Sequence, residues 1–134
     1  MEIKQHGSSA YPFQYYYDNL ELFDFHCIEW HWHREFEFLY VESGQVTCGI
    51  GEKKIILSEG EAIFINSKIL HQFYASSDGV IPNFVCMPEF IAPENSLIYK
   101  KYILPIISSN IYFQRFQTDE LWQTKIIQTM IKIM

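Results

Sequence analysis

Short apolar runs separated by turn residues dominate the first ninety positions of the chain. Leu20–Ile28, Glu35–Val41, Gln45–Ile50, Lys54–Leu57 and Ala62–Ile65 are each of strand length and rich in Phe, Ile, Val and Tyr. The breaks between the later ones, Glu42-Ser43-Gly44, Gly51-Glu52 and Ser58-Glu59-Gly60, each carry a glycine that can reverse the chain through positive φ. Tyr11 to Tyr17, aromatic and punctuated by Pro12, reads as a lead-in strand at a sheet edge, and Pro82–Met87 as a further strand. A meander of this kind closes best as an antiparallel barrel or double-sheet jelly roll, because closure removes exposed edges.

Beyond Pro88 the pattern changes. Leu97, Ile98, Ile103 and Leu104 within Ser96 to Ile107 predict a short helix interrupted near Pro105. Thr118 reads as an N-cap, with Asp119 and Glu120 in the first turn of a last helix. That helix carries Trp122, Ile126, Met130 and Ile133 in one stripe, with Leu121, Ile127, Ile131 and Met134 beside it. Such a stripe packs on its own barrel or meets the same helix of a second chain across a two-fold axis, and its width favours a homodimer. The expected organisation is one domain over 1–134, with a barrel over 1–90 and a helical dimerisation segment over 91–134, without internal repeats.

Composition narrows the classes. Apolar residues make up 49% of the 134 positions and charged residues 19%, which suits a folded core and not a disordered segment. A net charge of −6 repels a phosphate backbone, and only Lys53-Lys54 and Lys100-Lys101 set basic residues side by side. No nucleic-acid contact by this segment is expected. Cys27, Cys48 and Cys86 are odd in number, widely spaced and outside any CxxC pair, which reads as free thiols in a reducing compartment. With no signal peptide and no membrane-length apolar run, a cytoplasmic protein is expected.

The chemistry concentrates in Trp30-His31-Trp32-His33-Arg34-Glu35-Phe36-Glu37-Phe38-Leu39-Tyr40-Val41. On one continuous strand His31, His33, Glu35 and Glu37 share a face, opposite Trp30, Trp32, Phe36, Phe38 and Tyr40. Polar groups on a face turned into a barrel need a ligand, water or metal. Downstream, Gly60-Glu61-Ala62-Ile63-Phe64-Ile65-Asn66-Ser67-Lys68-Ile69-Leu70-His71 offers a glycine turn, an apolar strand and a loop that delivers a third imidazole. Neutral histidines with one carboxylate suit Zn, Ni, Mn or Fe(II). A metal-free hydrogen-bonded pocket stays open beside that reading. Glu35 is either a partner orienting an imidazole or a surface acid. Tyr15, Tyr16 and Tyr17 either line a binding mouth or pack at the edge. His6 and His26 match no motif.

The spacing HxHxxxE followed by Gly44 is similar to the first cupin motif, and Gly60 to His71 is similar to the second. The resemblance puts His31, His33, Glu37 and His71 at the four metal-ligand positions. Phe25 and Lys68 stand where the family has glycines, Asn66 where it has proline, and Ala75 where it has asparagine. Departures of this sort resemble the sensor domains of AraC-type transcription regulators. So do Tyr11-Pro12-Phe13, Met87-Pro88-Glu89-Phe90-Ile91, Ile98 to Tyr102 and the closing helix. The likeness implies a cupin-type antiparallel β-barrel followed by C-terminal α-helices, which binds a small-molecule effector through His31, His33, Glu35, Glu37 and His71. It further implies a possible divalent metal, no organic cofactor, no enzymatic activity, and a DNA-reading helix-turn-helix domain outside these residues. The alternative is a stand-alone metal-dependent cupin enzyme of dioxygenase or isomerase type.

Overall fold

The computed structural model describes residues 12–76 and 78–134, so the readings made of Tyr11 and His6 lie outside it. Among the described residues nine strands form: β1 Phe13–Asn19, β2 Cys27–His31, β3 Phe36–Tyr40, β4 Ser43–Ile50, β5 Lys53–Ser58, β6 Ala62–Ile65, β7 His71–Tyr74, β8 Gly79–Cys86 and β9 Phe113–Phe116. All pairings are antiparallel. One sheet runs β1-β8-β3-β6-β9 and the other β5-β4-β7-β2, joined where Ser43 and Gly44 of β4 pair with Val80 and Gly79 of β8. The expected antiparallel barrel is present, and helices cover it at the C-terminal side.

Alternation along each strand sorts the side chains. Leu39, Val46, Cys48, Ile50, Leu57, Ile63, Ile65, Phe73 and Ile81 fill the space between the sheets. Phe36, Phe38 and Tyr40 take the opposite face of β3, where helical segments cover them, as the alternation predicts. Trp30 departs from that picture: it belongs to the other sheet, where a Cβ on Gly49 would come within 2.9 Å of its ring.

Several expected elements shift. Leu20–Ile28 is not one strand; Leu20–Leu22 and Asp24–His26 are tight turns, and β2 begins only at Cys27. Asn19 starts this reversal by accepting the Glu21 N–H at 3.0 Å. Trp30 to Val41 is likewise two strands broken at Trp32–Glu35, one in each sheet. The helix expected to break at Pro105 runs through it: Tyr99–Ile103 widens to a π-turn in which Leu104 donates to Tyr99, so the next residue, Pro105, is accommodated without a donor. The last helix starts later than expected. Its N-cap is Glu120 rather than Thr118, without a side-chain cap bond, and the helix spans Leu121–Ile133.

We number the helices α1 Pro88–Ile91, α2 Leu104–Ile107 and α3 Leu121–Ile133. α3 lies on the outer face of the larger sheet, with Ile127 and Met130 buried against Ala62, Phe84 and Phe116. Leu121, Trp122, Ile131 and Ile133 remain exposed. Part of the stripe is thus satisfied within the chain. Among the described residues, no helix is long and apolar enough to cross a membrane.

The motif departures acquire physical meaning here. Phe25 and Lys68, standing where the cupin pattern has glycines, both take the left-handed conformation glycine favours, at φ 57° and 63°. The backbone keeps its kinks although each costs a non-glycine residue about 1–2 kcal/mol. Asn66, standing for proline, uses what proline lacks. Its N–H reaches the Tyr112 carbonyl at 2.9 Å, and its side-chain amide donates to the carbonyls of Ile106 at 2.9 Å and Ile111 at 2.7 Å. The C-terminal segment is thereby tied to the barrel.

Gly44 has φ +83° and a Cβ there would lie 2.3 Å from the Asp78 carbonyl oxygen, whereas Gly60 has φ +90° and open space around it. Gly60→Ala is expected to lower stability by about 1 kcal/mol, the cost of left-handed backbone alone. Gly44→Ala should cost clearly more, because backbone must also move. Urea midpoints for the two variants check this; equal losses would refute the steric account.

Candidate metal centre

His31 ends β2, His33 lies in the break between the sheets, Glu37 is the second residue of β3, and His71 opens β7. They converge although they do not share a strand. His31 pairs directly with His71 across β2 and β7, after a bulge that follows Ile28. Ring centroids are 4.3 Å apart for His31 and His71, 5.1 Å for His33 and His71, and 5.5 Å for His31 and His33. One potential ligand atom from each of His31, His33, Glu37 and His71 lies within 4.8 Å of the others, and all four residues are buried.

Two loops meet to make this possible. The Lys68 N–H donates to the His33 carbonyl at 2.7 Å, and the Ser67 hydroxyl donates to the Arg34 carbonyl at 2.6 Å. The left-handed turn at Lys68 aims that N–H at the loop carrying His33. The second motif therefore grips the first through backbone.

Each imidazole is oriented by the chain itself. His31 Nδ1 bonds the Glu29 carbonyl at 2.8 Å, His33 Nδ1 the Glu35 carbonyl at 3.1 Å, and His71 Nδ1 the Ile69 carbonyl at 2.7 Å. A carbonyl oxygen only accepts, so every Nδ1 carries the proton and every neutral ring keeps its lone pair on Nε2. Those of His33 and His71 sit 3.0 Å and 3.1 Å from the same Glu37 carboxylate oxygen. Two acceptors do not hold that distance in a dry site unless a positive charge lies between them. A divalent cation fits this donor set, with tautomers already fixed by backbone carbonyls.

Protonation is the other way to supply that charge. The Glu37 carboxylate beside His33 raises the His33 pKa against the opposing effect of burial. Burial first, and the His71 charge second, lower His31 to about 4. The hydrogen bonds from His33 and His71 hold the Glu37 carboxyl well below the usual carboxylate range despite its burial. The cluster is built to stay anionic at one point and to share few protons.

Glu35 sits inside, not on the surface. It is 1% exposed, and burial raises its pKa. Its carboxylate oxygens have no hydrogen-bond partner among the described residues, and the nearer stands 4.0 Å from His33 Nδ1. The backbone carbonyl of Glu35, rather than its side chain, orients the imidazole. Of the three tyrosines, Tyr16 faces inward, while Tyr15 and Tyr17 lie on the exposed face of β1. His26 is half-buried and takes part through its carbonyl, which accepts the Ala75 N–H. Cys48 and Cys86 are buried free thiols and Cys27 is half-buried; burial lifts Cys86 to about 11.

A cavity of about 190 Å³ opens beside the cluster, lined by His31 and Glu37 together with Tyr16, Asp18, Phe23 and Asn83, among others. The chain's pattern did not single out Asp18 or Asn83. The available signal was the alternation Gln14, Tyr16, Asp18 on one face of an edge strand. A larger groove of about 610 Å³ lies outside the barrel between α3 and the sheet, but its lining is almost wholly apolar.

The family model described as Cupin domain matches residues 27–85. The chain is 26% identical over 136 residues to the uncharacterized HTH-type transcriptional regulator YdeC of Bacillus subtilis (strain 168), covering 98% of this chain and 46% of the relative. It therefore spans about half the length of that relative. Among solved structures, HppE with Fe(II) in complex with substrate is 18% identical, with 55% of this chain and 45% of that chain covered and a TM-score of 0.50. A cupin-2 domain containing protein from Shewanella frigidimarina is 22% identical, with 55% and 69% covered and a TM-score of 0.48. The chain has a cupin fold, a cluster that could hold a metal, and a likeness to a transcription regulator.

The titration of His31 gives a pH signature in metal-free protein. Below pH ~6.5 the unfolded chain takes up a proton there, which the folded chain refuses down to about 4, so acidification over that window favours unfolding. Glu37 adds to the loss further down, below the unfolded carboxyl value of ~4.3. His33 acts oppositely, its contribution being present below ~6.5 and lost as pH rises through its raised folded value. His31→Gln is expected to remove on the order of 3 kcal/mol of the fall between these limits, at ~1.4 kcal/mol per unit. Urea unfolding at successive pH values tests it; a variant profile parallel to the parent's would rule the assignment out.

Proposed function

We propose that this chain is the effector-sensing and dimerising part of an AraC-type transcriptional regulator, with a small molecule bound inside the barrel beside a divalent metal. The observation that carries this reading is the match to a transcription regulator along 98% of the chain, barrel and C-terminal helix together. The DNA-reading helix-turn-helix would then belong to protein outside these 134 residues, in keeping with the 46% of the relative that is covered. The net charge of −6 agrees with a segment that does not itself contact DNA. A cytoplasmic location follows from that role.

His31, His33, Glu37 and His71 would hold the cation, as Zn, Ni, Mn or Fe(II). A cation held there would supply Lewis-acid chemistry at the site. The protein's own part is to orient the imidazoles, exclude water and present Tyr16, Asp18 and Asn83 along the cavity. A sensor must also transmit occupancy, which requires the ligand to bind two arrangements of the protein unequally. Lys68 joins the site to the loop that ends at His71, and Asn66 of the same loop holds the segment leading to β9 and α3. Movement at the site thus has a covalent and hydrogen-bonded route to the helix.

For dimerisation, Leu121 and Ile131, 71% and 46% exposed, offer an outward apolar strip on α3. A second reading, a metal-dependent cupin enzyme, draws on Tyr16 and Asp18 facing the same cavity as the cluster. Turnover of a candidate substrate by metal-loaded protein would favour it over sensing.

Metal content of protein purified without a histidine tag should approach one divalent ion per chain. Added zinc at a hundredfold excess over its Kd should raise stability by about 2.7 kcal/mol, and Glu37→Gln should abolish most of that gain. A metal ratio near zero, with no thermal shift from Zn, Ni, Mn or Fe(II), would remove the metal from the proposal. Sedimentation of the Leu121→Glu, Ile131→Glu double variant tests the interface: a parent dimer should become a monomer, and an unchanged parent monomer would count against the α3 contact.

A further inference from the structure

On the outer face of the larger sheet, turned away from the buried cluster, Tyr15, Tyr17, Tyr40 and Glu42 line one groove of about 240 Å³. Its shape follows from register. Tyr17 of β1 pairs with Pro82 of β8. On the other side of β8, the pairing of Leu39 with Asn83 brings the next residue, Tyr40, level with Pro82 as well. Neighbouring strands lie ~4.8 Å apart, so the two tyrosines stand on the order of 10 Å from each other with only a proline between them. Two rings thus wall a slot floored by Pro82, and Tyr15, two residues before Tyr17 on the same face of β1, adds a third ring. Ile131 and Met134 close the slot from the side of α3.

An aromatic face attracts a cation within ~6 Å of its centroid. A gap of about 10 Å lets one cation lie within that range of two rings at once. Glu42 adds a full negative charge beside them. The Tyr17 hydroxyl donates to the Glu42 carboxylate, which fixes both groups. That hydrogen bond raises the Tyr17 pKa, so the phenol stays neutral and remains a donor. Pro82 and Ile131 offer no side-chain acceptor, and the Met134 thioether only a weak one. A primary ammonium brings three N–H groups that need acceptors there; a quaternary ammonium brings none and turns methyl groups toward these apolar side chains. At ~30 Å³ per water, the groove has room for roughly seven or eight non-hydrogen atoms.

We propose that this groove binds a small quaternary ammonium ion, its charge held between the Tyr17 and Tyr40 rings and beside the Glu42 carboxylate. The site is separate from the cluster and stands whether or not the barrel senses an effector or holds a metal. Ile131 is shared with the strip proposed for dimerisation, but the rings and the charge come from the sheet.

The probes are choline and 3,3-dimethylbutan-1-ol, which share shape and number of non-hydrogen atoms and differ in a quaternary nitrogen against a quaternary carbon. Chemical-shift titration of isotope-labelled protein, with sodium chloride at matched concentration as the blank, should show choline binding about tenfold tighter or more. The shifts should centre on β1, β3 and the end of α3. Tyr40→Phe keeps the ring and should keep the affinity, whereas Tyr40→Leu should lose most of it. Glu42→Gln keeps an acceptor for the Tyr17 hydroxyl and should weaken choline while leaving the neutral alcohol unchanged. Tyr40 is half-buried and Glu42 exposed, so melting temperatures are recorded; should Tyr40→Leu melt early, Glu42→Gln still decides. Equal affinity for the two probes, choline shifts no larger than the sodium blank, shifts centred on the barrel interior, or a preference that survives Glu42→Gln and a well-folded Tyr40→Leu overturns the proposal.

Discussion

Three imidazoles have their Nδ1 protons pinned on backbone carbonyls, and two of them, His33 and His71, turn their Nε2 lone pairs toward one buried carboxylate. Acceptor faces acceptor at 3.0 Å and 3.1 Å, in a place from which water is largely excluded. Electrostatics alone makes this arrangement wait for a cation, whether protons or a metal. The rest of the barrel serves to hold it: a bulge in β2 sets His31 opposite His71, and the break at Trp32–Glu35 carries the chain from one sheet to the other between His31 and Glu37.

Holding it has a cost in backbone strain. Phe25, His26 and Lys68 all sit at positive φ without being glycine. At Lys68 the strain has a visible return, since the turn delivers an N–H to the His33 carbonyl and so couples the two motif loops. Phe25 offers no such return within the barrel; its side chain is 93% exposed. Asn66 shows a different kind of departure, where losing the family's proline gains three hydrogen bonds to the C-terminal segment. That exchange links the loop beside the cluster to β9, and β9 to the face on which α3 packs.

These connections give the sensing proposal its physical content. The cluster, the cavity and α3 are not separate features, because one loop, 66–70, touches both the cluster and the C-terminal segment. Ligand binding that favours one setting of this loop has a path to the helix that would meet a partner.

Much was legible from residues alone. Apolar alternation and glycine-bearing turns pointed to the barrel, because local periodicity and turn chemistry act over a few residues, and the likeness of the spacings from His31 to Glu37 and from Gly60 to His71 to the cupin motifs singled out the four residues that the barrel brings together. Other features came only with tertiary structure: the break that sends Trp32–Glu35 between two sheets, the unforeseen strands β7 and β9, the continuation of helix through Pro105, and the meeting of Asp18 with Asn83 across β1 and β8. Each depends on which strand lies beside which, and in what register. A one-residue slip turns every side chain to the other face, so only the closed barrel decides which atoms share its interior.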